Sequence, residues 1–246
     1  MLNYETVLGL TIFVCLGYYL QTGPKVGDFL PQSKVEQFEE DGIVIVDDLF
    51  SAEQLQNISS ELMLRVNNRP AGLRAEDLLN LHFNDSFILS ERGQWEALLL
   101  CLFPDLARHP AALSTASQLL NYPKLRLFTT RILCKLPGES LEIPWHQDSA
   151  YWPLWPMKAV SVWVALDDVT EENGAMDMFK FSDLPQSRGR NIGVEKVEET
   201  GADFFIKVNP DTLPLEKAVK MELKRGQAEF HDAYVLHHSP ENNSNK

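Results

Sequence analysis

The sequence predicts a mainly β fold with flanking helices, built on a double-stranded β-helix (jelly-roll) core. Two observations carry this. From residue 125 onward the chain breaks into short apolar runs separated by Pro- and Gly-containing turns, at 125–136, 159–166, 175–181 and 227–236. Ahead of them, apolar residues recur at helical spacing. With 246 residues and 44% hydrophobic content, the chain suffices for one sizeable core.

Taken in order, the elements begin with an apolar run, residues 7–20, broken only by Gly and Thr. As a helix these residues would reach roughly 21 Å, short of a ~30 Å hydrocarbon core. The run lacks the basic flank and small-residue cleavage site of a secretory leader. It is expected to be an uncleaved membrane anchor or interfacial helix, with a hydrophobic leader of another kind as the alternative. Residues 21–33, with Gly, Pro and Lys, read as a linker. This divides the chain into an N-terminal segment, 1–33, and a main body, 34–246. Ser51 with Gln54 three positions on forms a capping box, followed by Leu55, Ile58, Leu62 and Val66 at helical spacing up to about residue 70. Further helices are expected at 94–103 and 110–120.

A formal net charge of −13 excludes nucleic acid as a partner, because phosphates demand a basic footprint. It also disfavours a polyanionic substrate unless Lys180, Arg188 and Arg190 make the mouth of the site locally basic. Cys15, Cys101 and Cys134 are too few and too scattered for a disulfide framework or a zinc pattern. They read as free thiols of an intracellular protein, membrane-associated through its N-terminal run. The partner expected is a small molecule.

Two motifs carry chemistry. Trp145-His146-Gln147-Asp148 supplies a His-x-Asp pair, and Leu236-His237-His238-Ser239 supplies a distant imidazole. Side chains at i and i+2 of an extended segment share a face, so His146 and Asp148 can reach one ion. Two imidazoles and a carboxylate are the ligand set of a mononuclear non-haem iron(II) oxygenase, which keeps positions open for co-substrates. His237 and His238 compete for the distal place, and only one can bind because neighbours on a strand face opposite sides. His231, six positions before His237, reads as a pocket-lining or surface residue.

The text around these motifs has a fixed order: Lys135-Leu136-Pro137-Gly138 before the first, Tyr151-Trp152 after it, the strand-like run 160–168, and the turn Glu172-Asn173-Gly174-Ala175-Met176. Gly226 then leads to His237-His238-Ser239, Asn242 and Ser244. In that order the chain closely resembles the phytanoyl-CoA dioxygenase family of iron(II)/2-oxoglutarate oxygenases, from about Val35 to the last residue. The resemblance implies a cupin-like jelly roll, and its opening helix end and first strand correspond to residues 37–46. It implies Fe(II) as cofactor, with 2-oxoglutarate and O₂ as co-substrates. His146, Asp148 and His237 would be the metal ligands and catalytic residues, since the family's His-Gly-Ser puts the ligand first. Gln147, Trp163 and Ser239 would line the 2-oxoglutarate pocket, Trp163 being equally well explained as core packing. An intact Asp148, where some relatives carry a small residue and halogenate, favours hydroxylation.

Two departures stand out. The family places an Arg about ten or eleven residues after the distal His to pair with the remote carboxylate of 2-oxoglutarate. Here the sequence stops at Lys246, nine residues after His237. The expectation is a body truncated at its C-terminal end. Lys246, Arg131 or Lys135 as the substitute cation, or a chain that binds no 2-oxoglutarate, are the alternatives. The family's Pro-Gly-Ser-His turn is replaced by Phe179-Lys180-Phe181-Ser182-Asp183, which weakens inference about substrate. Trp145, Tyr151, Trp152 and Trp155 form an aromatic cluster suited to an apolar, lipid-like substrate, or stiffen a Trp-Pro loop. Residues 186–207 read as a lid or a solvated loop. The rival to an oxygenase is a catalytically silent jelly-roll binding module, with a metal hydrolase a distant third.

Overall fold

A computed structural model describes residues 7–16, 29–68, 109–123, 125–138, 140, 142–196 and 206–245. Two antiparallel sheets enclose the core. The larger contains β1 (Val7–Leu16), β2 (Ile43–Val46), β3 (Leu125–Lys135), β5 (Ala159–Ala165) and β10 (Ala228–Asp232), in the order β2-β10-β5-β1-β3. The smaller contains β4 (Ile143–His146), β6 (Met176–Met178), β9 (Val219–Met221) and β11 (His237–Ser239), in the order β4-β11-β6-β9. A separate ribbon pairs β7 (Val194–Lys196) with β8 (Ile206–Val208). This is the predicted jelly-roll, cupin-like architecture.

Alternation along β5 sorts the core into two layers. Val160, Val162 and Val164 pack outward with Val44, Val46, Ala228 and Phe230 beneath the helices. Trp163 and Ala165 pack inward with Met176, Met178 and Met221 of the smaller sheet. A strand covered on both faces needs no polar side, which is why β5 is buried at every position. The helices are α1 (Gln32–Asp41), α2 (Ala52–Asn67) and α3 (Pro110–Leu119). The capping box at α2 forms as its spacing predicts: Gln54 N–H donates to Ser51 Oγ, and Ser51 N–H donates to Gln54 Oε1. The helix expected at 94–103 lies outside the described residues.

Within the apolar run 7–20, residues 7–16 correct the expectation of an anchor helix, and residues 17–20 lie outside the described ones. Val7–Leu16 is a strand paired along both edges, with β3 on one side and β5 on the other. Among the described residues no helix is long and apolar enough to cross a membrane. The physical reason is that an unbroken apolar run fits a central strand between two covered faces as well as it fits a helix. Thr11, Ile12, Phe13 and Val14 favour the extended form. Residues 7–16 therefore belong to the main sheet of the catalytic body rather than to a separate N-terminal unit.

Gly42 ends α1 in the left-handed region, at φ 75°. A Cβ there would lie 2.6 Å from the Phe181 ring and 2.8 Å from Val235. Left-handed backbone and close approach both require glycine. Gly42→Ala is expected to destabilise the fold by about 1–3 kcal/mol, measured as a lowered urea midpoint with unchanged m-value.

Candidate metal centre

The site is assembled by strand register. His237 on β11 lies directly opposite His146 on β4, so both imidazoles leave the smaller sheet on one face. Gln147 continues extended at φ −119°, ψ 132°, and Asp148 opens a short 3₁₀ turn, which returns its carboxylate to the face of His146. His146, Asp148 and His237 are all buried, and one ligand atom from each lies within 4.8 Å of the others. The Nε2 atoms of His146 and His237 stand 3.9 Å and 4.0 Å from Asp148 Oδ1. One first-row ion with bonds of about 2 Å can bridge such a set.

The ring orientations are set from behind. His146 Nδ1–H donates to Pro144 O at 2.7 Å, and His237 Nδ1–H donates to Val235 O at 3.1 Å. Each bond leaves Nε2 unprotonated and turned to the site, the arrangement a ligating histidine requires. Burial, reinforced by His146 beside it, pushes the His237 imidazolium well below the usual histidine range, so the ring is neutral. Burial alone would raise Asp148, but the hydrogen bond from His231 and the flanking imidazoles outweigh it and hold the carboxyl ionised. Donor types, protonation and spacing all fit a divalent ion.

His238 takes the other face of β11. Its ring stacks on Trp145 at 5.1 Å, and its nitrogens meet Glu142 Oε1 at 3.0 Å and Asp177 Oδ2 at 3.4 Å. Of the two neighbours, His237 is the one that shares the face of His146 and Asp148. The same alternation corrects Trp145 as a substrate-facing residue: it precedes His146 on β4 and packs away from the metal face, against Phe179 and His238.

The other predicted residues divide by location. Tyr151 sets its ring edge-on to His146 at 5.7 Å, and its hydroxyl donates to Ile206 O. Trp152 packs on Phe128 beside Leu154 and Met157, whereas Trp155 is 95% exposed. Gln147 is buried but uses both amide hydrogens on Arg190 O and Tyr234 O and accepts from Ile192 N–H. It ties loops together instead of presenting a free amide to a co-substrate. Trp163 is buried in the inner layer. Ser239 Oγ donates to Gly174 O. Lys135 is buried with Nζ donating to the carbonyls of Ser239 and Pro240. Arg131 shares a register row with Trp163 through Thr11 of β1; its side chain lies outside what is described, as does Lys246. Of the expected basic mouth, Arg188 serves the carbonyls ending α1 and Lys180 pairs with Asp41. The ribbon β7–β8 frames part of the expected lid, and residues 197–205 lie outside the described ones.

Beside the metal face lie His231, read from sequence as pocket-lining or surface, and Ser161 and Glu229, which sequence did not single out. His231 is not on the surface: it is buried with Nε2 3.3 Å from Asp148 Oδ2, and Nδ1 2.9 Å from Glu229 Oε2. Ser161 Oγ donates to the same Asp148 oxygen. Period-two counting along β10 puts Glu229 and His231 on one face, but only the register against β5 shows that this face meets Asp148.

Comparison with known proteins bears on family and fold. The model of the family Phytanoyl-CoA dioxygenase (PhyH) matches residues 38–246. Ectoine dioxygenase of Bordetella parapertussis is 26% identical over 236 residues, 89% of this chain and 72% of that protein. L-proline trans-4-hydroxylase of Streptomyces griseoviridis is 36% identical over 81 residues, only 31% of this chain and 30% of that protein. The structure of EvdO2 from Micromonospora carbonacea var. aurantiaca complexed with 2-oxoglutarate superimposes with TM-score 0.67 at 21% identity. That match covers 88% of this chain and 86% of EvdO2, a likeness of fold.

The two neighbouring histidines separate cleanly by experiment. His237→Ala is expected to weaken Mn(II) binding by at least about 100-fold, beyond the usual effect of outer residues. His238→Ala should leave it within about threefold, both read by calorimetric titration of the purified chain.

Proposed function

The chain belongs to the phytanoyl-CoA dioxygenase family and is an iron(II)/2-oxoglutarate-dependent dioxygenase, and from that premise we propose that it hydroxylates an unactivated C–H of a small molecule with an apolar, lipid-like portion. The observation that carries the reading is the buried triad His146, Asp148 and His237, with both imidazoles held in the ligating tautomer. An Fe(II) ion held by His146, Asp148 and His237 would supply the centre for oxidative decarboxylation of 2-oxoglutarate by O₂. The protein's part is to hold the ion on three side chains of one face, leave its other positions open, and keep bulk water from them.

For the substrate, Tyr151 borders His146, and Trp152 with Phe128, Leu154 and Met157 supplies an apolar wall close by. The retained carboxylate of Asp148 supports hydroxylation over halogenation. Proline and ectoine, named for the relatives, are compact and polar, so an amino-acid-like substrate is the competing choice that a screen must include. For 2-oxoglutarate, the reading places the pocket between Trp163 and Ser239, the two family positions whose side chains lie inward or beside Gly174. Lys135, buried at the Ser239 carbonyl, and Arg131, in the row of Trp163, are the candidate cations for its remote carboxylate.

The purified chain with Fe(II), 2-oxoglutarate and O₂ is expected to form succinate slowly without substrate, and Asp148→Ala to abolish it. Absence of both iron binding and succinate in the wild type would favour a silent binding module instead. Of Arg131→Met and Lys135→Met, the one removing the carboxylate's partner should raise KM for 2-oxoglutarate about 10- to 100-fold, the equivalent of one charged hydrogen bond.

A further inference from the structure

Asp148 presents its two oxygens to different surroundings. Oδ1 is the atom facing Nε2 of both ligand histidines, at 3.9 Å and 4.0 Å. Oδ2 accepts from the Ser161 hydroxyl and faces His231 Nε2 at 3.3 Å. Behind His231, Glu229 Oε2 meets Nδ1 at 2.9 Å. The four side chains form one buried chain from β10 through Asp148 to β5, and the His231 ring lies 4.8 Å from that of His237.

This arrangement is costly as packing. Glu229 is fully buried, and its Oε1 has no hydrogen-bond partner among the described residues. Its strand neighbours Ala228 and Phe230 are ordinary core, and an apolar side chain would fill the wall of the sheet without desolvating a carboxylate. The registers Glu229↔Trp163 and His231↔Ser161 place the polar pair on the inward side, in line with the metal face. A buried polar chain that ends on one named oxygen of a metal ligand acts on how that ligand binds.

We propose that Glu229, His231 and Ser161 are positioning residues that make Asp148 a single-oxygen ligand, turning Oδ1 to the ion and restraining Oδ2 away from it. The inference rests on the iron-dependent reading above. Its consequence is coordinative: two imidazoles and one carboxylate oxygen would take three positions on an ion held there and leave others for the co-substrates. An Asp148 free to chelate through both oxygens would close one of those positions. Glu229 acts at one remove, by fixing the His231 ring so that Nε2 stays on Oδ2.

The test is metal binding without turnover, using the full chain. Mn(II) is titrated calorimetrically into wild type, His231→Phe, Ser161→Ala, Glu229→Leu and Glu229→Gln, with the melting of each metal-free protein as a check on folding. Anaerobic Fe(II) plus 2-oxoglutarate is then followed by its visible charge-transfer absorption, which reports the coordination sphere and not stability. His231→Phe is expected to weaken Mn(II) binding about 10- to 100-fold and to shift the absorption. Ser161→Ala and Glu229→Leu should each weaken it about 3- to 10-fold, while Glu229→Gln, which keeps an acceptor for Nδ1, restores most of the affinity. Wild-type affinity and an unshifted band in His231→Phe, or in both Ser161→Ala and Glu229→Leu should His231→Phe not fold, would overturn the proposal. A wild type that binds neither Mn(II) nor Fe(II) would overturn the oxygenase reading with it, which distinguishes the two failures.

Discussion

The register of β11 against β4 is the constraint on which the site depends. With His237 opposite His146, two imidazoles share one face and the carboxylate two residues on joins them. Because side chains on a strand alternate, a slip of one residue would present His238 in place of His237 and turn the ligand to the outer face. The outer face is separately occupied: Trp145 and His238 stack there, and Glu142 and Asp177 flank the second imidazole. The apolar-aromatic layer on one side and the metal-binding layer on the other thus hold the same register from both directions.

That register also gathers opposite charge in a dry interior. Burial penalises every ionised group, yet His231 is held protonated, its pKa raised to about 10, because the Glu229 carboxylate and the Asp148 hydrogen bond outweigh the desolvation. Burial, helped by the imidazole beside it, drives His237 the other way, and the ring remains neutral. Two histidines, one from each sheet, with ring centres 4.8 Å apart, therefore have opposite protonation states. One is suited to donate to a carboxylate and the other to bind metal. The fold achieves this by what each ring faces, not by how deeply it is buried.

The ligands and the architecture were legible in the sequence because they depend on local spacing. His146 and Asp148 need only the two-residue period of an extended segment, and Ser51 with Gln54 needs only the first turn of a helix. What sequence left open depends on partners far along the chain. Spacing alone did not separate His237 from His238, which the family resemblance decided; the strand opposite puts His237 on the face of His146, and the role of His231 required the pairing of β10 with β5. The run 7–16 was misleading for a related reason: uniform hydrophobicity states that both faces are covered and is silent on the period. Trp145 failed as a substrate contact because clustering along the sequence does not survive alternation on a strand.

The position of β1 bears on how the chain reaches this structure. Val7 pairs with Lys135 and Gly9 pairs with both Leu133 and Ala165, so β1 waits for partners well over a hundred residues later in the sequence. Contacts of such long sequence separation are slow to form, since the loop must close before pairing rewards it. During synthesis an apolar strand emerges well before either neighbour exists, and β3 and β5 in turn keep unpaired edges until it arrives. A β-forming apolar segment therefore has neither of its neighbours until residues 125–165 have been made, an unpaired edge on which the folding of this sheet depends.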